Sequence, residues 1–220
     1  MLARLTSLVQ DPPPSLVFEI SESGVAVARM GPKSRRPETI AVAPLPAGVV
    51  QASPVRENVH DPAELDRVLR QAMEQNPAPR QRREAALLLP DNCALLTVLE
   101  FENLPGDAAE RLSLLRWRLK KAVPFDADTA SIAYQVQRPP AGGKTISVLA
   151  VVSPAEVIAQ YESALRRMGL IPGFVSTSVA AALNLVTEQG VTMVAKLSGR
   201  FLTLVVIDRG RVRFREAPAA

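Results

Sequence analysis

Aromatic side chains are scarce in this sequence: Trp, Tyr and Phe together make up 4% of its 220 residues. Binding to single-stranded nucleic acid depends on bases stacking on aromatic rings, so this shortage weighs against that class of function. The net charge of +4 and the pI near 9.6 would suit an anionic partner. The Lys and Arg residues are dispersed, however, and their two local clusters fall in Pro-rich stretches: Lys33, Arg35 and Arg36; Arg80, Arg82 and Arg83. We therefore expect no nucleic-acid partner.

Cysteine and histidine each occur once, as Cys93 and His60. One cysteine excludes an internal disulfide and a cysteine-rich zinc site, and it fits a reducing compartment. Cys93 itself is predicted to be a strand residue. His60 has no companion imidazole for metal binding and precedes a helix, which is typical of a surface residue. The sequence therefore predicts no metal site.

Long apolar runs are also missing. The first 15 residues lack the apolar core of a secretory signal. The longest uncharged stretch, residues 169–187, contains proline, glycine and several polar residues, so it would make a poor membrane span. We expect a soluble, cytoplasmic protein.

Catalytic motifs are absent as well. The GGKT of residues 142–145 resembles part of a phosphate loop, but the required earlier glycine would fall at Arg138 and the following residues predict a strand instead of a helix. Glu100 and Glu102 share one face of a strand with no other polar catalytic group nearby, which favours solvated charges. No serine lies in a nucleophile elbow.

Strand-like and helix-like patterns alternate along the chain, which predicts a packed α/β protein. Two short β-rich runs at residues 15–30 predict an opening hairpin. Three capped helices follow. Asp61, Pro62 and Glu64 begin the first, Asp107 and Glu110 the second, and Ser153, Pro154 and Glu156 the third, which ends at Gly169. Hairpins at both ends of the chain suggest two related α/β units.

The second of these helices is basic and has two apolar sides. One stripe contains Leu112, Leu115 and Leu119, whereas Leu114 and Trp117 fall on another side. That second side either packs against a neighbouring subdomain or docks another chain, since tryptophan is enriched at binding hot spots.

Three blocks in the middle of the chain carry a family resemblance. LLRWRLKKAVPFDADTASIAYQVQ, LLTVLEFENLP before it and LAVVSPAEVIAQYESALRRMGLIPGFVSTSVAAALNLV after it stand in the order of the type IV pilus assembly protein PilM. The chain is similar to that family over residues 86–186. The cytoplasmic domain of type II secretion L components shares the architecture and is a competing match.

The resemblance implies an actin-like, ribonuclease H-like α/β fold with an inserted small α+β subdomain and a truncated second half. Residues 1–84 and 153–190 would form the first subdomain, residues 85–152 the insertion, and residues 191–220 the start of the second subdomain. It further implies a cytoplasmic protein that is peripheral to the inner membrane and contacts the membrane only through partners. The implied partner is the tail of a PilN-like membrane protein, and self-association is a further option. The resemblance also implies that family members can bind ATP, which a longer form of this chain could do as well.

The positions that match the family's phosphate hairpins depart from its pattern. Glu19 and Ser21 replace an Asp and a Gly in the first hairpin, and Lys196 and Ser198 replace them in the second, with Gly199 shifted by one residue. Loss of the acid removes a magnesium ligand, and a Cβ hinders close approach of a phosphate. We therefore expect no cofactor and a non-catalytic scaffold, with an ATPase that binds ATP as the alternative.

The matched block also supplies the candidate partner-binding residues, which are Arg116, Trp117 and Phe125. Arg116 and Trp117 lie in the basic helix, and Phe125 follows the proline that ends it. All three could instead be structural.

Overall fold

The computed structural model describes residues 14–31, 36–75, 83–137, 144–186, 190–198 and 201–216. These residues form an α/β structure with three sheets. Its strands are β1 Leu16–Ile20, β2 Gly24–Met30, β3 Pro37–Pro44, β4 Glu84–Leu89, β5 Leu95–Phe101, β6 Ala130–Gln137, β7 Ile146–Pro154, β8 Ile171–Thr177, β9 Val191–Ser198, β10 Phe201–Asp208 and β11 Arg211–Glu216. Its α-helices are α1 Pro62–Glu74, α2 Ala108–Leu119, α3 Ala155–Arg167 and α4 Ser178–Leu183.

The first sheet has five strands in the order β3-β2-β1-β4-β8. β1, β2 and β3 form an antiparallel meander, which confirms the predicted opening hairpin, and β4 and β8 continue the sheet in parallel with β1. Because β1, β4 and β8 run in the same direction, their carboxyl ends lie along one edge. In open α/β sheets this edge is where ligands usually bind.

Helices α1 and α3 pack on one face of this sheet. The apolar stripe of α1 is buried, and it meets the buried side chains of β1, of which Leu16, Phe18 and Ile20 are inaccessible to solvent. Asp61 accepts a hydrogen bond from the amide of Glu64 at 2.9 Å, so this N-cap was predicted correctly. Glu64 pairs with Arg67 instead of completing a capping box.

The start of α3 differs from the prediction, while its end agrees. Pro154 is the N-cap, without a side-chain hydrogen bond, because Ser153 lies in β7 and its hydroxyl donates to the carbonyl of Cys93 at 2.7 Å. At the other end, Gly169 has φ +77°, and the amides of Gly169 and Leu170 donate back to the last turn of the helix. This left-handed glycine closes the helix as predicted.

The second sheet has the order β5-β7-β6 and packs against α2. Leu115 and Leu119 of α2 are fully buried against it, and Asp107 caps the helix by accepting from the amides of Ala109 and Glu110. β4 does not belong to this sheet. It pairs in parallel with β1 and β8, so residues 84–89 lie in the first sheet.

The third sheet is the antiparallel meander β9-β10-β11. One of its faces packs through Val205 and Ile207 against the β5–β7 sheet and α4. On its other face the large apolar side chains of β9 are exposed: Val191, Met193 and Leu197. No described helix is both long and apolar enough to span a membrane.

Cys93 lies in a single 3₁₀ turn between β4 and β5, not in a strand as predicted. Its thiol donates to the Oδ1 atom of Asn58 at 3.2 Å and lies 3.3 Å from the hydroxyl of Tyr161, which contacts the same Oδ1. Burial raises the pKa of the Cys93 thiol to about 12 and also raises the pKa of Tyr161. The thiol is therefore an unreactive core residue.

Candidate functional site

A lysine lies between two carboxylates at the carboxyl edge of the first sheet. The Nζ atom of Lys196, on β9, is 3.1 Å from the Oδ2 atom of Asp91 and 3.6 Å from the Oε1 atom of Glu19, on β1. The Asp91 side chain is only 3% exposed, compared with 23% for Lys196 and 40% for Glu19. A cation of the chain itself therefore links the first and third sheets at the edge where the sequence predicted a degenerate phosphate site.

Asp91 is held from two sides. Its Oδ1 atom accepts a hydrogen bond of 2.7 Å from the amide of Val179, in the first turn of α4, while its Oδ2 atom faces Lys196. Hydrogen bonds from both directions compensate the desolvation of this buried carboxylate. Asp91 was missed by the sequence reasoning. An acidic residue just past the end of a buried strand, in LLLPDNC, was the signal that could have found it.

Ser21 closes the turn between β1 and β2. Its hydroxyl donates to the carbonyl of Gly24 at 2.9 Å and accepts from the amide of Gly24 at 3.1 Å. A Cβ on Gly24 would lie 2.8 Å from the carbonyl oxygen of Ala43. Glycine at position 24 therefore allows the close approach of β3. The hydroxyl of Ser21 is already hydrogen-bonded to the backbone of Gly24.

Among the four predicted phosphate-site residues, the structure brings Glu19 and Lys196 together. Ser198 is half-buried at the end of β9, opposite Phe201, and Gly199 lies outside the described residues. In the described part of the chain, no group of three or more His, Cys, Asp or Glu side chains could hold a metal ion. The two carboxylates that remain, Glu19 and Asp91, face the ammonium of Lys196.

The predicted partner-binding residues on and after α2 have different surroundings. Arg116 donates to the carbonyls of Ala127, of Asp128 at 2.8 Å and of Ala130 at 3.2 Å, so its guanidinium fixes the loop before β6. Phe125 is half-buried in the core beneath the same loop. Both residues therefore have clear structural contacts.

Trp117 is 58% exposed, with the Nζ atom of Lys121 5.9 Å from its ring centre. Leu114, its predicted companion on the second apolar side, packs in the core with Phe101 and Tyr134. The second side of α2 is thus reduced to one exposed ring, with no described subdomain packed on it.

A groove lies between the second sheet, α4 and the β10–β11 hairpin, with a volume of about 950 Å³. β6 contributes consecutive residues from Ala133 to Gln137 to its wall, and β6 pairs only with β7 among the described strands. An unpaired strand edge presents amides and carbonyls that an extended peptide can bind. Among the described lining residues, the charged ones all belong to the hairpin: Asp208, Arg209, Arg211 and Arg213.

The other sequence motifs contribute no site. Lys144 and Thr145 lead into β7, a strand, which contradicts a phosphate loop as expected, while Gly142 and Gly143 lie outside the described residues. His60 is exposed. Of the two basic clusters, Lys33, Arg35, Arg80 and Arg82 also lie outside the described residues.

An antiparallel meander continued by two parallel strands, with helices on one face and a second meander beyond, defines the actin-like class of fold. No protein-family model matches the chain, and no curated protein sequence matches it significantly. Solved structures do match. A chain of a PilM–PilN type IV pilus biogenesis complex is similar with a TM-score of 0.76 and 17% identity over 94% of this chain. The match covers 62% of that chain, so the present chain spans less than two thirds of its length.

Two further structures are similar. The cytoplasmic domain of EpsL, an inner membrane component of the type II secretion system of Vibrio cholerae, has a TM-score of 0.53 and 13% identity, over 92% of this chain and 70% of that domain. A Bacteroides thetaiotaomicron protein with an actin-like ATPase fold has a TM-score of 0.50 and 9% identity, over 93% and 69%. At these identities the likeness shows the fold. The actin-like α/β fold predicted from the sequence is confirmed.

Proposed function

We propose that this chain is a non-catalytic adaptor in the inner-membrane assembly platform of a type IV pilus or a related secretion system. It binds the cytoplasmic tail of a PilN-like membrane protein, works in the cytoplasm and reaches the membrane only through that partner. The likeness to a chain from a PilM–PilN complex supports the class of partner. The observation that carries the proposal is the groove with its unpaired strand edge along β6.

The groove suits a tail better than a globular partner. It has room for several residues of extended chain, and β6 would supply backbone hydrogen bonds while apolar side chains of the wall, Val136 and Leu183, take alternate side chains of the tail. Backbone hydrogen bonds to β6 would give affinity even to a short tail that has no folded structure of its own. We therefore place the tail in the groove and not on the exposed ring of Trp117.

The absence of catalysis in this proposal is supported by Lys196. Its ammonium lies between Glu19 and Asp91, where a magnesium ion bound to phosphate would need those carboxylates. A fixed cation of the chain satisfies both charges without an exchangeable ion. The function of the site is accordingly to hold two sheets together, and the adaptor needs no cofactor.

Titration calorimetry with a synthetic PilN-like tail peptide tests the proposal. The folded wild-type chain should bind the peptide and not a scrambled peptide of the same composition. Ala133→Trp, which fills the groove wall, should weaken binding at least about tenfold, or 1.4 kcal/mol. Ala195→Trp is the matched control, because Ala195 is also an exposed alanine on a strand at the edge of its sheet.

Four results would contradict the proposal. No heat with the tail peptide would remove the adaptor function. If Ala133→Trp and Ala195→Trp weakened peptide binding equally, the groove would not be the binding site. If Trp117→Ala alone weakened binding, the tail would bind at α2 instead. Magnesium-dependent ATP binding that Glu19→Ala abolishes would favour the ATPase alternative.

A further inference from the structure

Arg211, at the start of β11, is a buried arginine with unused hydrogen-bond donors. The residue is 9% exposed and lines the groove. Its Nη2 atom donates to the hydroxyl of Ser147 at 2.9 Å. Its Nε and Nη1 atoms are buried and have no hydrogen-bond partner among the described residues. These two nitrogens carry three N–H groups, which therefore have no acceptor in the described part of the chain.

Such an arrangement is costly unless an acceptor is supplied. Guanidinium stays charged in proteins, and a buried donor without a partner destabilises the folded state, most of all when it belongs to a charged group. Nearly all buried polar groups in folded proteins are hydrogen-bonded, so an exception needs a physical reason. A ligand that brings its own acceptor into the groove is such a reason.

Asp208, the one carboxylate among the described residues of the groove lining, does not neutralise Arg211. The Oδ2 atom of Asp208 is 3.3 Å from the Nη2 atom of Arg213, and its Oδ1 atom is 3.8 Å from the Nε atom of Arg209. No described acidic residue forms an ion pair with Arg211. The described lining thus contains three arginines and one aspartate, and the buried arginine has no counter-charge among the described residues.

The position of Arg211 is fixed by the neighbouring residue. The side chain of Gln137, the last residue of β6, accepts from the amide of Val212 at 2.6 Å and donates to its carbonyl at 3.2 Å. This pair of bonds attaches β11 to the end of β6. A peptide lying along β6 therefore ends beside a guanidinium that is already held in place.

We infer that Arg211 binds a carboxylate of the peptide in the groove, so that the tail recognised by this chain carries an Asp or Glu opposite Arg211. The inference rests on the proposed function and adds the chemistry of the partner. A carboxylate supplies the missing charge and accepts from the free donors, and such bonds are stronger than neutral ones. Peptides without an acid at that position leave the buried donors unsatisfied and bind more weakly.

Selection from a displayed library of random ten-residue peptides tests the inference with no assumption about the sequence of the tail. The wild-type chain should enrich peptides with Asp or Glu at one fixed position. Arg211→Gln should still enrich peptides, without that acid. Arg209→Gln is the matched control, since Arg209 lines the same groove but its side chain is 82% exposed, and it should keep the preference.

A second measurement compares two peptides on the wild-type chain. The peptide that wild type enriches most should lose about tenfold or more in affinity when its acid is changed to the amide, as expected for a hydrogen bond to a charged group. Ala133→Trp should weaken the same peptide, which places it in the groove.

The outcomes separate this inference from the proposed function. Groove-binding peptides with no preferred acid, or an acid preference that survives Arg211→Gln, would overturn the role of Arg211 and leave the adaptor function standing. No enriched peptide would overturn both. Phosphate or acetate that binds wild type as tightly as the acidic peptide would show a simple anion site and not peptide recognition.

Discussion

Lys196 and Asp91 illustrate how much one charge can matter at the meeting point of two sheets. Asp91 is nearly inaccessible to solvent, and its partners are the ammonium of Lys196 and the amide of Val179. Removal of one member of a buried pair leaves the other charge uncompensated, whereas removal of both is much less costly. The stability of the junction between the sheets should therefore depend on the pair and not on either residue alone.

We predict that Lys196→Met lowers the free energy of unfolding by about 3 kcal/mol, because it leaves Asp91 buried without a counter-charge. This is the lower end of the range for a buried pair, since Lys196 itself is 23% exposed. The double variant with Asp91→Asn should recover at least half of that loss, since asparagine keeps an acceptor for the Val179 amide. Urea unfolding of the wild type, both single variants and the double variant measures the coupling.

Lys120→Met is the control for this cycle. Lys120 lies 2.6 Å from Asp128, but both side chains are about half exposed, at 48% and 56%. Exposed ion pairs contribute about 0–1 kcal/mol, so this variant should change stability little. Equal effects of Lys196→Met and Lys120→Met would show that burial of Asp91 carries no penalty.

At the scale of an element, α2 is held by one side only. Its residues Leu115 and Leu119 are fully buried against the second sheet, and Arg116 fixes the following loop by donating to three carbonyls. Trp117, between these residues in sequence, faces outward. On this helix, the buried leucines and Arg116 should therefore contribute to stability, whereas the exposed ring of Trp117 should contribute little.

We predict that Leu115→Ala costs about 2–5 kcal/mol, as for other buried leucines, because a cavity remains in the core. Trp117→Ala should change the free energy of unfolding by less than about 0.5 kcal/mol, as for exposed positions in general. Thermal and urea unfolding of the two variants, which lie two residues apart on one helix, gives the comparison. A loss above about 2 kcal/mol from Trp117→Ala would mean that its ring supports the fold.

For the whole molecule, the buried cluster of Asn58, Cys93 and Tyr161 joins parts that are far apart in sequence. Asn58 belongs to the loop before α1, Cys93 to the turn after β4, and Tyr161 to α3. The side chain of Gln160 also accepts from the amides of Asn58 and Val59. Because these groups are neutral and enclosed, the cluster is sensitive to pH at the alkaline end.

We predict that stability falls as the pH rises above about 9. The unfolded thiol, with a pKa near 9, loses its proton there, while the folded thiol keeps it up to a pKa of about 12. The folded state then binds more protons, so the free energy of unfolding decreases by up to about 1.4 kcal/mol per pH unit for this one group. The stability contributed by the protonated thiol is fully present below about pH 9 and is lost as the pH rises from 9 to about 12.

Urea unfolding from pH 8 to pH 10.5 measures this slope. Cys93→Ala should make it shallower by up to the same amount, relative to its own stability at pH 8. A slope that is the same in wild type and Cys93→Ala would mean that the thiol does not resist deprotonation in the fold.

Local patterns in the sequence determined the opening hairpin, the three longer helices and several helix ends. Hydrophobic alternation marks the β1–β2 hairpin, helical spacing marks the buried side of α1, and Asp61, Asp107 and Gly169 act through bonds to their own neighbours. Such bonds depend on residues a few positions apart, so sequence alone can specify them. Ser153 was mistaken for a cap because its hydroxyl bonds to Cys93, 60 residues away.

The sites depended on contacts between distant parts of the chain, which only the tertiary structure decided. Glu19 and Lys196 could be aligned with phosphate hairpins from the sequence. Their partner Asp91 could not, because it comes close to them only through the pairing of β4 with β1. Contacts between distant segments likewise placed β4 in the first sheet and left Arg211 buried near β6 without a counter-charge among the described residues. Spacing along the chain does not report these distances, because each pair is separated by many residues and meets only through sheet packing.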